Sequence, residues 1–407
     1  MKKVWDKWTR IALVKRILVG LILGAILGIA VPQATGIAIL GDVFVSALKA
    51  IAPLLVFFLV ISSLCNAGKS HGGVIKTVII LYMFSTVLAA VIAVFASMAF
   101  PVKMTLANAA TDTSAPQGIV EVLNNLLLNV VANPVSSLVN ANYVGILMWA
   151  VLLGLAFRVA DKMTKKVLAD VADGISMVVT WIINLAPFGI FGLVFNTVST
   201  NGLDIFTTYG KLLLLLVGCM LFIYFVTNPL LVYWCIRQNP YPLIFHCLKR
   251  SALTAFFTRS SAANIPVNMK VCEEMGLDRD TYSVTIPLGA TINMDGAAIT
   301  ITVMTMATAF TLGIHVDIPT AIILSLLAAL SACGASGVAG GSLLLIPMAC
   351  SLFGISDDIS MQVVAVGFII GVVQDSVETA LNSSSDLLFN LAISTRSDAR
   401  IPFASSR

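Results

Sequence analysis

The sequence predicts an all-α integral membrane protein with eight transmembrane helices and two re-entrant helical hairpins. The 407 residues are 58% hydrophobic and only 11% charged, whereas soluble domains usually carry about 25% charged residues. Apolar stretches of about 20 residues, the length that crosses a bilayer core, recur along the chain. In the C-terminal half, two shorter apolar segments are interrupted by small and polar residues. These three observations determine the predicted fold class.

Charge and hydropathy argue against nucleic acid as a partner and identify the lipid bilayer as one. The net charge is only +4, from 24 Lys and Arg against 20 Asp and Glu, and no basic stripe with interleaved aromatic residues is present, so nucleic acid is not an expected partner. The mean hydropathy of +0.99 instead makes the lipid bilayer the main environment of the chain.

Six spans are predicted before the interrupted segments. They cover residues 11–32, 40–66, 75–100, 141–160, 176–198 and 211–236. Between the third and fourth spans, a polar loop at 101–117 is followed by a predicted surface or partly inserted helix at 118–140.

The orientation follows from the basic residues, which concentrate on the cytoplasmic side of membrane proteins. If the N-terminus lies inside, nearly all Lys and Arg outside the apolar segments face the cytoplasm, and only Lys103 and Lys211 lie outside. Both termini are therefore predicted to be cytoplasmic.

The C-terminal half contains the same arrangement twice. Segments 241–272 and 318–353 are each too short to span twice, and each is followed by a long apolar stretch with acidic residues inside it, at 282–312 and 360–391. Backbone at a hairpin tip cannot face hydrocarbon, so it must be buried in protein or line a watery cavity. Paired interrupted segments of this kind indicate the binding site of a secondary transporter.

Four acidic side chains are predicted to lie at membrane depth. Each costs about 2.5–3.5 kcal/mol on insertion scales, so their presence points to a function. They are Asp295, Asp375, Glu378 and Asp386.

In the last span, the polar residues share one face of the helix. At 3.6 residues per turn they occupy a stripe about 100° wide, and such a row of oxygens suits an ammonium group or a hard cation. The stripe consists of Asp375, Glu378, Thr379, Asn382 and Asp386.

The other acidic span and the two hairpin tips complete the pattern. Asn293 and Gly296, which lie on either side of Asp295, are poor helix formers. An unwound turn with free carbonyls is therefore predicted there. The serine-rich tip at 258–264 and the glycine-rich tip at 332–342 offer hydroxyl and N–H groups to a carboxylate. Together these groups match a zwitterion, with its ammonium on the acidic stripe and its carboxylate between the tips.

These motifs resemble those of the dicarboxylate/amino acid:cation symporters, which share the glutamate-transporter fold. The resemblance covers essentially the whole chain in span order, and the N-M-D-G element between two hairpins is its most specific part. The matching segments are 258–261, 287–296, 336–340 and the stripe from Asp375 to Asp386.

The resemblance implies a set of substrate-binding residues. Asp375 would bind the substrate ammonium, and Asn382 and Ser261 its carboxylate, while Arg259 and Val338 would contribute main-chain carbonyls. The full set implied is Arg259, Ser260, Ser261, Val338, Ser342, Asp375, Glu378, Thr379 and Asn382.

The resemblance also implies co-transported sodium ions, held at three places. The first set of ligands is Gly289, Asn293, Asn382 and Asp386. The second is Tyr82, Ser85, Thr86, Asn293 and Asp295. The third is Thr291 with the carbonyls of Ala332, Cys333 and Ala335.

Two departures from the family pattern bear on the substrate. Members that carry acidic amino acids have an arginine where this chain has Glu378 and a threonine where it has Ala297. A glutamate there would repel a second carboxylate and would accept a hydrogen bond from a hydroxyl, which favours serine or threonine.

The resemblance further implies how the chain is organised and where it works. A scaffold would comprise 11–66 and 118–198, and a mobile transport domain would comprise 75–100 and 211–391. Sodium-driven uptake by an elevator-type movement, a homotrimer and a bacterial inner (plasma) membrane are expected, and an enzyme is not.

Three alternatives stay open at this point. Other neutral or dicarboxylic substrates fit the same fold. Discontinuous hairpins and acidic rings also occur in channels. An intramembrane protease would use Asp295 with Asp375, or Ser261 with a base, but no histidine lies near that serine in the sequence.

Overall fold

The structure, a computed structural model, describes residue 11 and residues 13–66, 73–106, 128, 131–202, 204–333 and 340–398. All secondary structure within these ranges is helical. In the first half the helices are α1 (Leu13–Ala30), α2 (Ile39–Asn66), α3 (Gly73–Ala99), α4 (Pro134–Val139), α5 (Tyr143–Ala156), α6 (Lys162–Asn184) and α7 (Ala186–Asn201), with 3₁₀ turns at Thr35–Ala38 and Phe157–Val159.

The second half consists of shorter helices and one long one. They are α8 (Asp204–Phe222), α9 (Asn228–Ile236), α10 (Tyr241–Cys247), α11 (Leu253–Thr258), α12 (Ser261–Glu274), α13 (Arg279–Ile292), α14 (Asp295–Thr311), α15 (Ile318–Ala332), α16 (Ile346–Ser351) and α17 (Asp357–Asp398). Two π turns, Ile223–Thr227 and Leu248–Ala252, and one 3₁₀ turn, Leu343–Leu345, join some of them.

Many of these helices are long and apolar enough to cross a bilayer. In the described part of the chain such segments are Thr35–Asn66, Gly73–Ala99, Lys162–Asn184, Phe206–Ile236, Arg279–Thr311 and Asp357–Ser394, with shorter apolar helices at Val144–Val159, Ala186–Thr200 and Ile318–Ala332. The prediction of an all-α membrane protein is confirmed. Its division into eight spans and two re-entrant hairpins stays a prediction.

The fifth predicted span differs from the structure. Residues 176–198 do not form one helix, because α6 ends at Asn184 and α7 begins at Ala186. Pro187 has no N–H to donate to the carbonyl of Ile183, so the α-helical ladder cannot continue through it. The periodicity of apolar residues continues across this break, which is why the sequence pattern did not reveal it.

A row of glycines lets α1 lie directly against α7. A Cβ atom added to Gly20 or Gly24 would come within 2.2 Å of the Pro187 carbonyl oxygen or 2.6 Å of the Phe191 carbonyl oxygen. Small residues spaced by four allow this close backbone approach, which is a common basis of helix packing in lipid.

The helices pack in two groups. In the first group, α1 packs along α7, and α2 packs against α5, α6 and α7. In the second group, α3 packs against α13, α14 and α15, while α17 contacts most of the helices from α8 onward. The long polar stripe of α17 therefore lies inside the second group.

The first interrupted segment reverses direction at its tip. Arg259 ends α11 with a left-handed backbone (φ 53°), and Ser260 caps α12 by accepting a hydrogen bond from the Ala263 N–H at 3.2 Å. Asn264 on α12 then reaches back to donate to the hydroxyl of Ser251 at 2.9 Å. The second interrupted segment is described on both sides of its tip, as α15 and as Gly340 onward.

A proline accounts for an irregular turn beside the site. Pro229 has no N–H for the carbonyl of Phe225, and the Tyr241 hydroxyl donates to that carbonyl at 3.2 Å instead. The π turn Ile223–Thr227 immediately precedes Asn228, a buried residue of the site described below. Such turns often occur next to functional residues.

Candidate functional site

The helix is interrupted at Asn293 and Met294, as the sequence predicts. Both residues have non-helical backbone angles, and α14 begins only at Asp295. The Met294 N–H donates to the hydroxyl of Thr86 on α3 at 3.1 Å. A side chain from another helix thus satisfies backbone that the interruption frees.

Asp295 lies at the centre of a buried group of oxygens. The hydroxyl of Ser85 donates to Oδ2 at 2.8 Å, and that of Thr86 donates to Oδ1 at 3.1 Å. The Ser85 Oγ also lies 3.2 Å from Asn228 Oδ1. None of the ion pairs formed by the described residues involves Asp295. A fully buried carboxylate surrounded by neutral oxygens suits a hard cation.

Asp386, on α17, forms a second buried acidic position. Its Oδ1 accepts a hydrogen bond from Asn293 Nδ2 at 2.9 Å, and Tyr82 donates its hydroxyl to the Asp386 carbonyl at 3.1 Å. Asn293 Oδ1 is buried without a partner among the described residues. A Cβ atom on Gly289 would lie 2.7 Å from Asp386 Oδ1, so only glycine fits there. The open amide oxygen is an acceptor that a cation can use.

Asn382 joins the stripe of α17 to the start of α14. Its Oδ1 accepts a hydrogen bond from the Gly296 N–H at 2.7 Å, and its Nδ2 donates to Met294 Sδ at 3.5 Å. The first N–H groups of a helix lack partners within the helix, so Asn382 caps α14 from outside. Both sequence-predicted acidic elements therefore meet at this residue.

Asp375 is held by both interrupted segments. Arg259 of the first segment places Nε and Nη2 each 2.7 Å from Asp375 Oδ2, and both side chains are largely buried. The N–H of Gly340, beside the second tip, donates to Oδ1 at 3.2 Å. The sequence predicted a role for the main-chain carbonyl of Arg259 but not this ion pair, and no pattern along the chain indicates a partner 116 positions away.

Glu378 accepts three hydrogen bonds on one oxygen. Its Oε2 accepts from Gln374 Nε2 at 2.5 Å, from the Thr300 hydroxyl at 2.6 Å and from the Ser342 hydroxyl at 2.9 Å. Ser342 was predicted at the site, whereas Thr300 and Gln374 were not. Glu378 is only 5% exposed, so its carboxylate lies inside the protein.

The remaining predicted residues bond within their own helices or lie at helix ends. Thr379 and Thr291 donate their hydroxyls to carbonyls of their own helices, those of Asp375 and Leu288, both at 2.7 Å. Cys333 Sγ lies 3.7 Å from the Ile292 carbonyl, so the end of α15 meets the interrupted helix, and Ala332 is buried beside it. Ser261, 7% exposed, begins α12. The predicted residues Ala335 and Val338 lie outside the described residues.

A buried polar network, which was not predicted from the sequence, fixes α12 against α17. Asn264 Nδ2 donates to the Ser383 hydroxyl at 2.8 Å, and Asn268 Nδ2 donates to the Ser383 carbonyl at 2.8 Å. Asn264 and Asn268 lie four positions apart on one helix face, which is the signal that could have revealed them. The network attaches the first interrupted segment to the helix that carries the polar stripe.

The arrangement offers two kinds of binding position. Asp295 and Asp386 are surrounded by hydroxyl, amide and carbonyl oxygens. Across the described chain, no three His, Cys, Asp or Glu side chains gather as a transition-metal site would require. Asp375 and Glu378 lie one helical turn apart and contact the two interrupted segments, in a position to bind donor groups of one small ligand.

Comparison with known proteins identifies the family and the relatives that the chain resembles. Residues 13–396 match the model of the sodium:dicarboxylate symporter family. The serine/threonine transporter SstT of Bifidobacterium adolescentis is 58% identical over 390 residues, which cover 96% of this chain and 91% of the relative. The serine/threonine transporter SstT of Streptococcus thermophilus is 56% identical over 390 residues, which cover 96% of this chain and 97% of the relative.

Proposed function

The chain belongs to the sodium:dicarboxylate symporter family, and on this premise we propose that it carries serine and threonine into the cell together with sodium ions. The observation that carries the proposal is the buried row of polar side chains on α17, from Asp375 to Asp386, which meets both hairpins and the interrupted helix. The substrate class follows the names of the relatives with 56–58% identity. The protein is a transporter rather than an enzyme.

The substrate ammonium binds Asp375, and the substrate hydroxyl binds Glu378. These carboxylates are three positions apart on α17, which separates them by about 4.5 Å along the helix axis. That distance suits the two donor groups of a single small amino acid. The carboxylate of the substrate binds Asn382 and the Ser260–Ser261 start of α12, where hydroxyl and N–H groups favour an anion.

Arg259 occupies Asp375 before substrate arrives. Its guanidinium lies 2.7 Å from the carboxylate, so substrate binding exchanges one cation for another on the same oxygen. A buried carboxylate left without a cation would be costly, and this exchange keeps Asp375 paired in both states.

The sodium ions bind the neutral oxygens around Asp295 and Asp386. Tyr82, Ser85, Thr86 and Asn293 join Asp295 at one position, and Gly289, Asn293 and Asn382 join Asp386 at another. A third ion binds Thr291 and the carbonyls of Ala332, Cys333 and Ala335. Because Asn293 donates to Asp386 on α17, and Asn382 on α17 accepts from Gly296 on α14, sodium at these positions tightens the helices that form the substrate site.

Transport moves the second group of helices against the first. The scaffold is 11–66 and 118–198, and the transport domain is 75–100 and 211–391, which contains the two re-entrant hairpins among the eight spans. The separate packing of the two helix groups supports this division. The second hairpin closes the site from outside, and the loaded domain then crosses the bacterial inner membrane, within a homotrimer whose chain ends are cytoplasmic.

Uptake into proteoliposomes tests the proposal. An imposed inward sodium gradient should drive accumulation of labelled serine and threonine, and a potassium gradient of equal size should not. Asp375→Asn should abolish uptake in a folded protein because the ammonium loses its counter-charge. Sodium-driven uptake of aspartate in preference to serine, or serine uptake independent of sodium, would overturn the proposed function.

A further inference from the structure

The Glu378 carboxylate is held asymmetrically. All three of its hydrogen-bond donors, on Thr300, Ser342 and Gln374, point at Oε2. One carboxylate oxygen has two lone pairs, so Oε2 has no capacity left for a ligand. The other oxygen, Oε1, receives no hydrogen bond from any described residue, and the side chain keeps 5% of its surface exposed.

The donors come from three different elements. Thr300 lies on α14, and Gln374 lies one turn before Glu378 on α17, so both belong to the core of the second helix group. Ser342 lies just beyond the tip of the second interrupted segment. Thr300 and Gln374 therefore hold the carboxylate from α14 and α17, independently of the segment that carries Ser342.

Packing alone does not account for the buried side chain of Gln374. Its side chain is fully buried, and its Oε1 has no partner among the described residues, which is unfavourable for a buried acceptor. Its Nε2 donates both to Glu378 and, at 2.7 Å, to the Thr300 hydroxyl. The amide thus orients both the carboxylate and the hydroxyl that binds it.

We propose that Thr300 and Gln374 are positioning residues that saturate Oε2 of Glu378 and so direct its free Oε1 to the side-chain hydroxyl of the substrate. This inference rests on the proposed transport of serine and threonine and concerns only how that hydroxyl is recognised. A carboxylate fixed in this way discriminates against alanine, because a buried acceptor aimed at a substrate hydroxyl stays unpaired when the hydroxyl is missing.

The test measures sodium-driven uptake of labelled serine and alanine by the full chain in proteoliposomes. The test variants are Thr300→Val and Gln374→Met, which remove the donors at nearly constant volume. Each should raise the KM for serine about tenfold, the effect of one hydrogen bond to a charged group, and change the KM for alanine less than about twofold. The ratio of the two KM values is a readout that general destabilisation does not change.

Matched controls separate positioning from packing. Thr308→Val makes the same substitution on α14 at a fully buried threonine whose hydroxyl donates to the Met304 carbonyl at 2.7 Å rather than to Glu378, and it should leave the ratio unchanged. Thr300→Ser keeps the hydroxyl and should retain the wild-type preference for serine over alanine. If Thr300→Val does not fold, Gln374→Met tests the same carboxylate from α17.

Each outcome decides a different claim. If both test variants change the KM for serine and alanine by the same factor, or if the wild-type protein does not prefer serine to alanine, the positioning role is wrong while the proposed transport stands. If the wild-type protein shows no sodium-driven uptake of serine, the proposed function fails, and the inference fails with it.

Discussion

Arg259 and Asp375 form a buried ion pair in which both Nε and Nη2 lie 2.7 Å from the same carboxylate oxygen. Removing the guanidinium by Arg259→Met leaves Asp375 without a cation, which costs about 3–5 kcal/mol for a buried pair. The substrate-free variant should therefore melt at a lower temperature than wild type. Serine should stabilise it by a larger margin, because the substrate ammonium then replaces the missing charge. Thermal unfolding with and without serine measures both effects.

The chain contains a matched control for this variant. Arg250 pairs with Glu274 at 2.6 Å on the same hairpin, but both side chains are 42% exposed, and exposed pairs contribute only about 0–1 kcal/mol. Arg250→Met should leave the melting temperature and the effect of serine nearly unchanged. Equal responses of the two variants to serine would contradict competition for Asp375.

The hydroxyls of Ser85 and Thr86 bind the carboxylate of Asp295 from α3, so sodium affinity should depend on all three residues. Asp295→Asn should raise the sodium concentration for half-maximal serine uptake about tenfold or more, because the ion loses a charged ligand. Ser85→Ala should raise it by a smaller factor. The sodium dependence of initial uptake rates measures this effect, with saturating serine present.

Ser97→Ala is the control for the α3 substitutions. Ser97 is 2% exposed on the same helix, and its hydroxyl has no hydrogen-bond partner among the described residues. The variant should retain wild-type sodium dependence. An unchanged sodium requirement in Asp295→Asn would remove Asp295 from the ion site.

Features confined to one helix or one local break could be predicted from the sequence. The stripe from Asp375 to Asp386 follows from helical periodicity, and all its members are buried. The interruption at Asn293 and Met294 follows from local propensity. Both are properties of neighbouring residues, which a single sequence reports directly.

Contacts between distant segments could not be predicted in the same way. The Arg259 side chain pairs with Asp375, and Thr300 bonds to Glu378. These partners are far apart in the sequence, and the periodicity of one helix gives no information about contacts with another. The break between α6 and α7 was missed for another reason, because the effect of Pro187 on one backbone hydrogen bond is not visible in a hydrophobic pattern. The pattern shows which residues share a face, and tertiary packing decides what that face contacts.

Lys49 on α2 joins the two helix groups through Asp357 and Asp358 at the start of α17, at 3.0 and 2.7 Å. If the second group moves past the first, this contact must break in each cycle. Linking cysteines at positions 49 and 358, in a variant without the seven native cysteines, with a short cleavable thiol reagent should therefore stop serine uptake. Cleaving the link should restore it.

The control uses a pair within one group. Cysteines at positions 250 and 274 replace an ion pair of 2.6 Å that lies inside the first hairpin, so linking them should leave uptake intact. Lys49→Met alone should change the uptake rate less than about fivefold, because the pair is partly exposed. Full uptake with positions 49 and 358 linked would contradict movement between the groups.

Glu378 is the residue whose replacement should change the substrate. Glu378→Arg with Ala297→Thr introduces the cation and hydroxyl typical of relatives for acidic substrates, so competition by aspartate should increase relative to serine by about tenfold or more. The structure adds a condition, since Thr300, Ser342 and Gln374 all donate to Glu378 and would have to turn their oxygens toward a guanidinium that has only donors. Adding Gln374→Glu supplies an acceptor and should strengthen the change, whereas Ala297→Thr alone should keep the preference for serine. Inhibition of labelled serine uptake by unlabelled aspartate measures the change, and an unaltered serine preference in the triple variant would place specificity away from Glu378.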